Sequence, residues 1–350
     1  MKSSTGIYSE PSTAAISPEL QMLRLASGHI AAQAVYVFAV LGIADILSGG
    51  TRSANALETL TDTNGPALHR LLRFLTTIDV VAEHEDNVYS LTRLGRTLCN
   101  RSLPVVRDNT LLVAAPCYWT SIGGLLRNIQ TGETACEHAY STNYFGYLAT
   151  HPAEASSFNA AMNSASHLAL TGILAAYDFS GSRRIVDVGG GKGALLQAIL
   201  KANQTIHGVL FDSQDVIDAA PVDPEIATRL SKVAGSFFDS IPADADTYIL
   251  RRVLHDWSDE KATEILHGCR RAMHSGSKLL VVELAAPSPG ESRNDWAGLD
   301  LLMMVLMGGR ERTESELRQL LSNGNFMTTR IAATKSPYWI VEAKPLEPQA

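Results

Sequence analysis

The chain of 350 residues is long enough for two domains, each with its own hydrophobic core, and its 45% hydrophobic and 19% charged content is that of an ordinary globular protein. Its net charge of −7 argues against nucleic acid as the main partner, because binding phosphates needs a basic face. The four cysteines stand far apart with no Cys-x-x-Cys pair, which argues against a disulfide framework or a zinc site and predicts a cytoplasmic protein.

The first strongly apolar stretch, residues 18–47, predicts one or two helices that are apolar over much of their surface. A small domain has too little core to cover such a surface, so we expect a partner chain to cover it in a homodimer. The part from 30 to 47 is marginal in length for a membrane span and contains Gln33 and Asp45. The polar residues before position 18 lack the pattern of a signal peptide. We therefore expect no membrane partner.

A winged-helix pattern follows. Two helices, a hairpin and a further helix are predicted in turn at 54–60, 66–78, 80–82 with 88–91, and 92–98. Modules of this kind often bind DNA, but residues 51–100 contain five arginines and no lysine against six acidic residues, which is no electrostatic footprint for DNA. We predict a winged-helix-like dimerisation domain over residues 1–102.

Residues 103–180 form a largely helical region that is rich in aromatic side chains. Aromatic residues at this density are more often core than ligand wall, yet as a group just before a glycine-rich turn they are suited to cover a flat apolar molecule. We predict a connecting region here that acts as a substrate lid. The side chains assigned to the substrate pocket are Trp119, Phe145, Phe158, Met162 and, later in the chain, Met303.

The rest of the chain is organised around residues 184–196, where a short apolar run ends in a glycine cluster and an apolar-periodic helix follows. Gly189, Gly191 and Gly193 permit a sharp turn on which a ligand can lie. With the alanine that follows them and an acidic residue about 20 positions on, they satisfy the dinucleotide fingerprint. Asp187 before the turn and the third glycine equally suit S-adenosylmethionine. Both cofactors, and a purely structural turn, stay open at this point.

From residue 184 onward, strand and helix patterns alternate, which predicts a doubly wound parallel sheet. The predicted strands are 185–188, 207–211, 231–235, 245–250 and 278–282. Two further extended runs, 326–332 and 338–342, are joined by a short turn and predict an antiparallel hairpin at the edge of the sheet.

Unusual residues follow the carboxyl ends of these strands, where open parallel sheets bind ligands. Asp212, after the second strand, is suited to accept hydrogen bonds from a ribose diol. Ser236 and Phe237 follow the third strand: Ser236 offers a polar group to contact the edge of an adenine, and Phe237 offers a ring to cover it. Arg251 follows the fourth strand. Core packing alone does not distribute residues in this way, so we predict a ligand site at this edge.

His255 lies on the loop after the fourth predicted strand, where a ligand is expected, and it can gain or lose a proton near neutral pH. Glu283 ends the next strand, so we expect it to accept a hydrogen bond from the imidazole and fix its tautomer. Glu311 is a second candidate for this role, placed just before a helix that Thr313 is predicted to cap. The sequence contains no metal-ligand spacing, and we expect no metal.

Five motifs, in order and spacing, resemble those of the S-adenosylmethionine-dependent small-molecule O-methyltransferases, which include plant caffeate-type and bacterial antibiotic-tailoring enzymes. These motifs are Asp187-Val-Gly-Gly-Gly-x-Gly193, Phe211-Asp212, Gly235-Ser-Phe-Phe238, Leu254-His-Asp-Trp-Ser258 and Gly308-Gly-Arg-Glu-Arg-Thr313. The resemblance covers nearly the whole chain. It implies a Rossmann-like class I methyltransferase sheet with a C-terminal hairpin in a catalytic domain over 181–350, preceded by a dimerisation domain.

The resemblance also implies roles for individual residues. It implies His255 as the base, flanked by Glu283 and Glu311. The residues it implies for the cofactor are Asp187, Gly189, Gly190, Gly191, Asp212, Ser236, Phe237, Arg251 and Trp257. One departure concerns the adenine: plant members carry an acidic residue at the position of Ser236, so a hydroxyl or a main-chain atom has to make that contact here.

The function predicted from these residues is methyl transfer from S-adenosylmethionine, leaving S-adenosylhomocysteine, to a hydroxyl of a small aromatic metabolite. One alternative keeps the cofactor but methylates nitrogen or carbon, or hydroxylates or decarboxylates without methylating. An NAD-dependent oxidoreductase is disfavoured by the third glycine and the loop around His255. A DNA-binding regulator is disfavoured by charge.

Overall fold

The structure of the chain is a computed structural model, and it describes residues 17–100, 104–287 and 294–346. The chain divides into two compact units, residues 1–114 and residues 115–350. The predicted division into three parts, 1–102, 103–180 and 181–350, stays a prediction, because the chain separates into only two compact units.

The first unit is mostly helical. Its helices are α1 (Pro18–Ala26), α2 (Gly28–Val40), α3 (Ile43–Ser48), α4 (Ala54–Thr61), α5 (Gly65–Thr77) and α6 (Pro104–Val113). The apolar stretch 18–47 therefore forms three helices where one or two were predicted. The break before α3 is made by Gly42, whose φ of +65° is left-handed backbone that favours glycine. Helix starts are fixed by side-chain caps, as where Asn64 accepts a hydrogen bond from the amide of Ala67.

A small antiparallel sheet completes this unit. Its strands are β1 (Arg52–Ser53), β2 (Val81–His84) and β3 (Val88–Leu91), in the order β1-β3-β2. The predicted hairpin is thus present. Strand β1 was not predicted, because two residues are too few to show the alternation of apolar and polar side chains that marks a strand. The helix predicted at 92–98 is wrong: only a 3-10 turn, Gly95–Leu98, forms. Gly95 packs so closely that an added Cβ would lie 2.0 Å from the carbonyl oxygen of Val80. The winged-helix name stays an interpretation.

The core of the first unit leaves α1 largely uncovered. Phe38, Leu57 and Leu72 are fully buried, while Met22 and Leu23 of α1 are exposed. An uncovered apolar helix is what the sequence predicted for a surface that a partner chain covers. In the described part of the chain, no single helix has the length and composition of a membrane span; α1 and α2, bent at 45°, pass that test only as a pair.

The second unit begins with helices and continues as a wound sheet. The helices before the sheet are α7 (Pro116–Gly123), α8 (Leu125–Thr131), α9 (Ala135–Tyr140), α10 (Tyr144–Thr150) and α11 (Pro152–Ala176). The elements that follow are β4 (Arg184–Val188), α12 (Ala194–Ala202), β5 (His207–Asp212), α13 (Gln214–Ala219), β6 (Leu230–Ala234), β7 (Thr247–Arg251), α14 (Asp259–Ala272), β8 (Lys278–Leu284), α15 (Asn294–Leu306), α16 (Glu314–Asn323), β9 (Phe326–Ala333) and β10 (Tyr338–Pro345).

The seven strands β4–β10 form one sheet in the order β6-β5-β4-β7-β8-β10-β9. Strands β4–β8 pair in parallel, and β10 is antiparallel to both β8 and β9. The predicted parallel sheet with a C-terminal hairpin is confirmed, with strand ends shifted by up to three residues. The chain runs outward from β4 to β6 and then returns to β7 on the other side of β4. This reversal makes the carboxyl ends of β4 and β7 a topological switch point, where such sheets bind ligands.

Both faces of the sheet are buried under helices. Alternate residues of a strand point to opposite faces, so Val186 and Tyr248 pack in one core cluster with residues of α14 and α16. Ile185 and Ile249 pack in the other with residues of α11 and α12. These two cores hold the strand ends rigidly, which fixes the positions of the residues that follow them.

Candidate active site

The turn after β4 is built from backbone that only glycine adopts readily. Gly189, Gly191 and Gly193 have φ of +68°, +58° and +76°. An added Cβ at Gly189 would lie 2.8 Å from Val253 Cγ2, whereas one at Gly191 would meet no atom within 4 Å among the described residues. The turn is therefore tightly packed on its inner side and faces open space at Gly191.

Asp187 lies buried under this turn. Its side chain is so close that a Cβ on Gly190 would lie 2.7 Å from Asp187 Cγ. Burial raises the pKa of Asp187 to about 7, with Arg251 acting in the opposite direction. Among the residues that the structure describes, none gives Asp187 Oδ1 a hydrogen bond. A buried carboxylate with an unused acceptor oxygen is costly and suits a site that a ligand completes.

Asp212, at the end of β5, connects the second strand end to the same turn. Its Oδ2 accepts a hydrogen bond from the amide of Gly191 at 2.8 Å, and its Oδ1 accepts one from the amide of Ser213 at 2.7 Å. Burial raises the pKa of Asp212, and these two amides oppose the rise. Each carboxylate oxygen has two acceptor positions, so the predicted bonds from a ribose diol remain possible.

The third strand end brings Ser236 and Phe237 beside Trp257. Ser236 Oγ accepts a hydrogen bond from the amide of Phe238 at 3.2 Å, and a hydroxyl in that role still has its own proton to donate. The ring of Phe237 meets that of Trp257 edge-on, with centroids 5.8 Å apart. Val253 and Phe237 are also the nearest neighbours of a Cβ added at Gly189, so this aromatic group adjoins the glycine turn.

His255 lies on a short 3-10 turn after β7 and is 7% exposed. Its Nδ1 is 3.1 Å from Glu311 Oε1, at ion-pair distance although not aligned as a hydrogen bond, and its Nε2 is 3.1 Å from Asp256 Oδ1. Burial and Arg252 lower the pKa of His255, but interactions with Asp256, Glu311 and Glu283 outweigh them and raise it above 6.5. Both ring nitrogens are thus next to a carboxylate.

Glu283 does not contact the imidazole as predicted. Its Oε2 pairs instead with Nη1 of Arg252 at 3.3 Å, and Arg252 also forms a two-point contact with Glu311, at 2.8 and 3.0 Å. Between the two predicted partners of His255, the structure therefore places Glu311 at the ring and Glu283 behind Arg252. Burial acts to raise the pKa of Glu311, but His255 and Arg252 together hold it at about 2.

The loop before α16 carries Glu311 into the site and holds the His255 turn. The amide of Arg310 donates to the carbonyl of His255 at 2.9 Å, and Gly309 approaches so closely that a Cβ would lie 2.1 Å from that same oxygen. The buried side chain of Arg312 donates to the carbonyls of Leu254 and Trp257, on either side of His255. The predicted capping box of Thr313 with Glu316 is confirmed and fixes where the loop ends.

An aromatic group lies against Trp257 on its other side. Phe145 stacks with Trp257 at 6.2 Å and 24°, and meets Phe158 edge-on at 6.3 Å. These two predicted pocket residues therefore come together beside the His255 turn. Trp119 and Met162 are 36% and 40% exposed and Met303 is buried, and their place in the pocket wall stays a prediction.

Two residues of this site were missed by sequence reasoning. Arg252 was given no role, and Asp256 appeared only as part of the motif around His255. The position of Arg252 directly after a central strand was the available signal. In the described ranges 17–100, 104–287 and 294–346, no group of three or more His, Cys, Asp or Glu side chains is arranged to hold a metal ion.

Comparison with known proteins places this geometry in a family. Residues 119–327 match the model of the O-methyltransferase domain, and residues 23–101 match that of the O-methyltransferase dimerisation domain, which supports a homodimer. Phenazine O-methyltransferase PhzM of Lysobacter antibioticus is 38% identical over 330 residues, covering 93% of this chain and 96% of that protein. Aclacinomycin 10-hydroxylase RdmB of Streptomyces purpurascens is 34% identical, covering 85% of this chain and 82% of that protein.

A solved structure agrees with these matches. The O-methyltransferase NcsB1 from neocarzinostatin biosynthesis superposes with a TM-score of 0.81 at 33% identity, covering 90% of this chain and 96% of that one. It was crystallised with S-adenosylmethionine and 2-hydroxy-5-methyl naphthoic acid, and also with S-adenosylhomocysteine. The predicted cofactor and its product are therefore those held by a relative of the same fold. The chain belongs to the O-methyltransferase family.

Proposed function

We propose that the protein transfers a methyl group from S-adenosylmethionine to a hydroxyl of a small, flat aromatic metabolite, with His255 as the general base. The observation that carries the proposal is the position of His255. It is buried after β7, next to the strand that carries the glycine turn, with Glu311 3.1 Å from Nδ1. A base in contact with a carboxylate and close to a cofactor turn is the arrangement that proton removal during group transfer needs.

The residues at the switch point fit the cofactor. Gly191 faces open space, Asp212 retains acceptor positions, and Asp187 Oδ1 is a buried acceptor that no described residue satisfies. Phe237 supplies a ring beside the turn. When bound, S-adenosylmethionine supplies a methyl group on a sulfonium, an electrophile that needs no metal. We assign Asp212 to the ribose, Phe237 to the adenine, and Ser236 to its edge.

The acceptor hydroxyl needs a base because phenols titrate near 10 and are poor nucleophiles until deprotonated. The Glu311 carboxylate beside Nδ1 favours a proton on that nitrogen, so the basic atom of neutral His255 is Nε2. That atom lies 3.1 Å from Asp256 Oδ1 in this structure. The hydroxyl therefore has to take the place of Asp256 at Nε2 and pass its proton there, while Glu311 stabilises the imidazolium that forms.

The substrate class follows from the aromatic group beside Trp257. Rings of Phe145 and Trp257 that are nearly parallel, with Phe158 edge-on, suit a flat ring system of more than one ring. PhzM is a phenazine O-methyltransferase, and NcsB1 was crystallised with a naphthoic acid. We propose a fused-ring phenol of comparable size as the acceptor.

We further propose a homodimer that works in the cytoplasm without nucleic acid or a membrane. The match to the dimerisation domain and the exposed apolar residues Met22 and Leu23 of α1 support the dimer. The acidic net charge supports the absence of nucleic acid.

A second candidate function is hydroxylation, because RdmB is similar over most of the chain. Incubation with S-adenosylmethionine and a panel of hydroxyphenazines, hydroxynaphthoates and aminophenols, analysed by mass spectrometry, separates the candidates. O-methylation predicts a product heavier by one CH2 and an equal amount of S-adenosylhomocysteine. A product heavier by one oxygen would establish the hydroxylase instead, and methylation of the amino group would establish N-methylation.

A further inference from the structure

Arg252 lies within the candidate active site and has an unusual backbone conformation. It follows β7 directly, and its φ of +55° places it in left-handed backbone that non-glycine residues rarely adopt. Its amide donates to the carbonyl of Val282 at 3.0 Å, which ties this conformation to β8. Such a conformation is energetically unfavourable, and it is commonly retained where it directs a side chain that the site uses.

The guanidinium of Arg252 joins two buried carboxylates. Nη2 lies 2.8 Å from Glu311 Oε1 and Nη1 lies 3.0 Å from Glu311 Oε2, the two-point geometry that only arginine offers. Nη1 also lies 3.3 Å from Glu283 Oε2. Glu311 Oε1 is at the same time 3.1 Å from Nδ1 of His255. One carboxylate oxygen is therefore shared between the arginine and the imidazole.

We propose that Arg252 is a positioning residue for the base. Because it binds the carboxylates of Glu311 and Glu283 at the same time, it holds Glu311 against Nδ1 of His255. The inference deepens the proposed function, on which it rests. It also gives Glu283 a role, as the second anchor of the guanidinium rather than as a partner of the imidazole. A lysine at this position lacks the paired N–H groups of a guanidinium, which contact both Glu311 oxygens.

The charges around His255 determine what removing Arg252 does. Asp256 on the same turn and Glu311 from the loop before α16 lie at the ring nitrogens, and Glu283 from β8 lies behind Arg252. All three raise the pKa of His255, and Arg252 is the cation that opposes them. Farther out, Asp300 of α15 accepts from the amide of Glu311, Tyr338 of β10 lies against Arg252 at 5.9 Å, and Tyr118 of α7 lies near Asp256. Removing Arg252 therefore has two opposite effects on the pKa of His255: loss of the cation raises it, and release of Glu311 lowers it. Arg252→Lys keeps the cation and releases Glu311, so it isolates the second effect.

A purely structural reading treats Arg252 as a core ion pair, whose loss lowers stability and activity equally at every pH. Two substitutions separate the readings. Arg252→Gln removes both the charge and the two-point contact with Glu311, whereas Arg252→Lys keeps the charge and removes the two-point contact. The matched control is Arg229→Gln, because the Arg229 guanidinium donates to main-chain carbonyls in and just after α12, those of Leu200, Asn203 and Ile206.

The test measures the titration of His255 by NMR on full-length protein labelled at histidine Cε1, with the resonance among ten histidines assigned through His255→Gln. No acceptor is needed, so the result stands whether or not methyl transfer is found. Arg252→Lys is expected to move the titration to lower pH, because the Glu311 carboxylate that favours the imidazolium is no longer held at Nδ1. Arg252→Gln, which also removes the cation, is expected to titrate at higher pH than Arg252→Lys. Arg229→Gln is expected to leave the titration at the parent value. An unmoved titration in folded Arg252→Lys would overturn the proposal.

The Nδ1 proton of His255 gives a second readout on Arg252→Lys. With S-adenosylhomocysteine bound, this proton is expected at lower field in the parent than in Arg252→Lys, because the Glu311 carboxylate beside it is no longer held in place. In turnover, Arg252→Lys is expected to lose about tenfold in kcat, the worth of one hydrogen bond to a charged group, with the KM for S-adenosylmethionine unchanged. A parent-like Nδ1 proton together with parent-like kcat would contradict the proposal.

Discussion

The two halves of the site are made in different ways. The half after β4, β5 and β6 consists of glycine backbone, Asp212 and the Phe237 ring, all near one another in the sheet order. The half after β7 and β8 is a cluster of charged side chains, in which Glu311 reaches Arg252 and His255 from a distant part of the chain. In the proposed function, the first half holds the cofactor and the second half sets the protonation and orientation of one imidazole. We therefore expect a substitution in the second half to change chemistry rather than cofactor binding.

The largest expected effect lies in the charged half. His255→Ala should reduce turnover on a phenolic acceptor by roughly 10²–10⁴, the usual worth of general acid–base catalysis. The affinity for S-adenosylmethionine, measured by calorimetry, should stay nearly unchanged, because the glycine turn and Asp212 do not contact the imidazole. A variant that keeps most of its turnover would remove His255 from the proton transfer.

The two glutamates sharpen the comparison within the charged half. Glu311→Gln should cost about 10- to 100-fold in kcat, because it weakens a charge-assisted contact with the imidazolium. Glu283→Gln should cost less, since Glu283 contacts Arg252 and not the ring. Steady-state kinetics on both variants test the order. If Glu283→Gln were the more damaging variant, the observed placement of the two carboxylates would not be the catalytic one.

In the cofactor half, Asp212→Ala should weaken the binding of S-adenosylmethionine by about tenfold or more, because each charge-assisted hydrogen bond is worth roughly 1.5–3 kcal/mol. At saturating cofactor, kcat should return towards the parent value, which is the reverse of the His255→Ala pattern. Calorimetry and kinetics on the same preparation decide this. Unchanged affinity would exclude Asp212 from the cofactor site.

The smallest effect concerns backbone alone. Gly191→Ala should destabilise the fold by about 1–2 kcal/mol, because its left-handed φ penalises any Cβ even though no described atom within 4 Å would clash with it. Gly123→Ala is the matched control, since Gly123 lies at the end of α7 without a positive φ and an added Cβ there also meets no described atom within 4 Å. Thermal unfolding should separate the two variants. Equal melting temperatures would show that the turn relaxes without cost.

The same contrast explains how much the sequence could predict. The glycine turn, Asp212 and the parallel sheet follow from local patterns: strand, turn and helix lie together in the chain, and the parallel sheet brings strand ends to one edge. The hairpin β9–β10 was predicted for the same reason. In the first unit, the short strand β1 and the 3-10 turn at Gly95–Leu98 depend on packing that local pattern does not record.

In the charged half, the candidate residues could be predicted from the sequence, but which carboxylate contacts His255 could not. His255, Glu283 and Glu311 were each recognisable as candidates, yet which carboxylate reaches the ring depends on distances of about 3 Å between side chains on separate elements. The left-handed backbone of Arg252 is also invisible in the sequence, because residues other than glycine rarely adopt it. Hence Arg252 went unassigned, and Glu283 was placed at the ring instead of behind the guanidinium.

The central claim is that His255 removes the proton from the acceptor, and the pH dependence of single-turnover methyl transfer tests it most directly. Asp256, Glu311 and Glu283 raise the pKa of His255 above 6.5 despite burial and Arg252, so the base is neutral only above that raised pKa. The rate in the parent enzyme should therefore fall as pH drops through a value above 6.5. In His255→Ala, the slow residual rate should lack this acid limb. The same acid limb in both proteins would contradict the account.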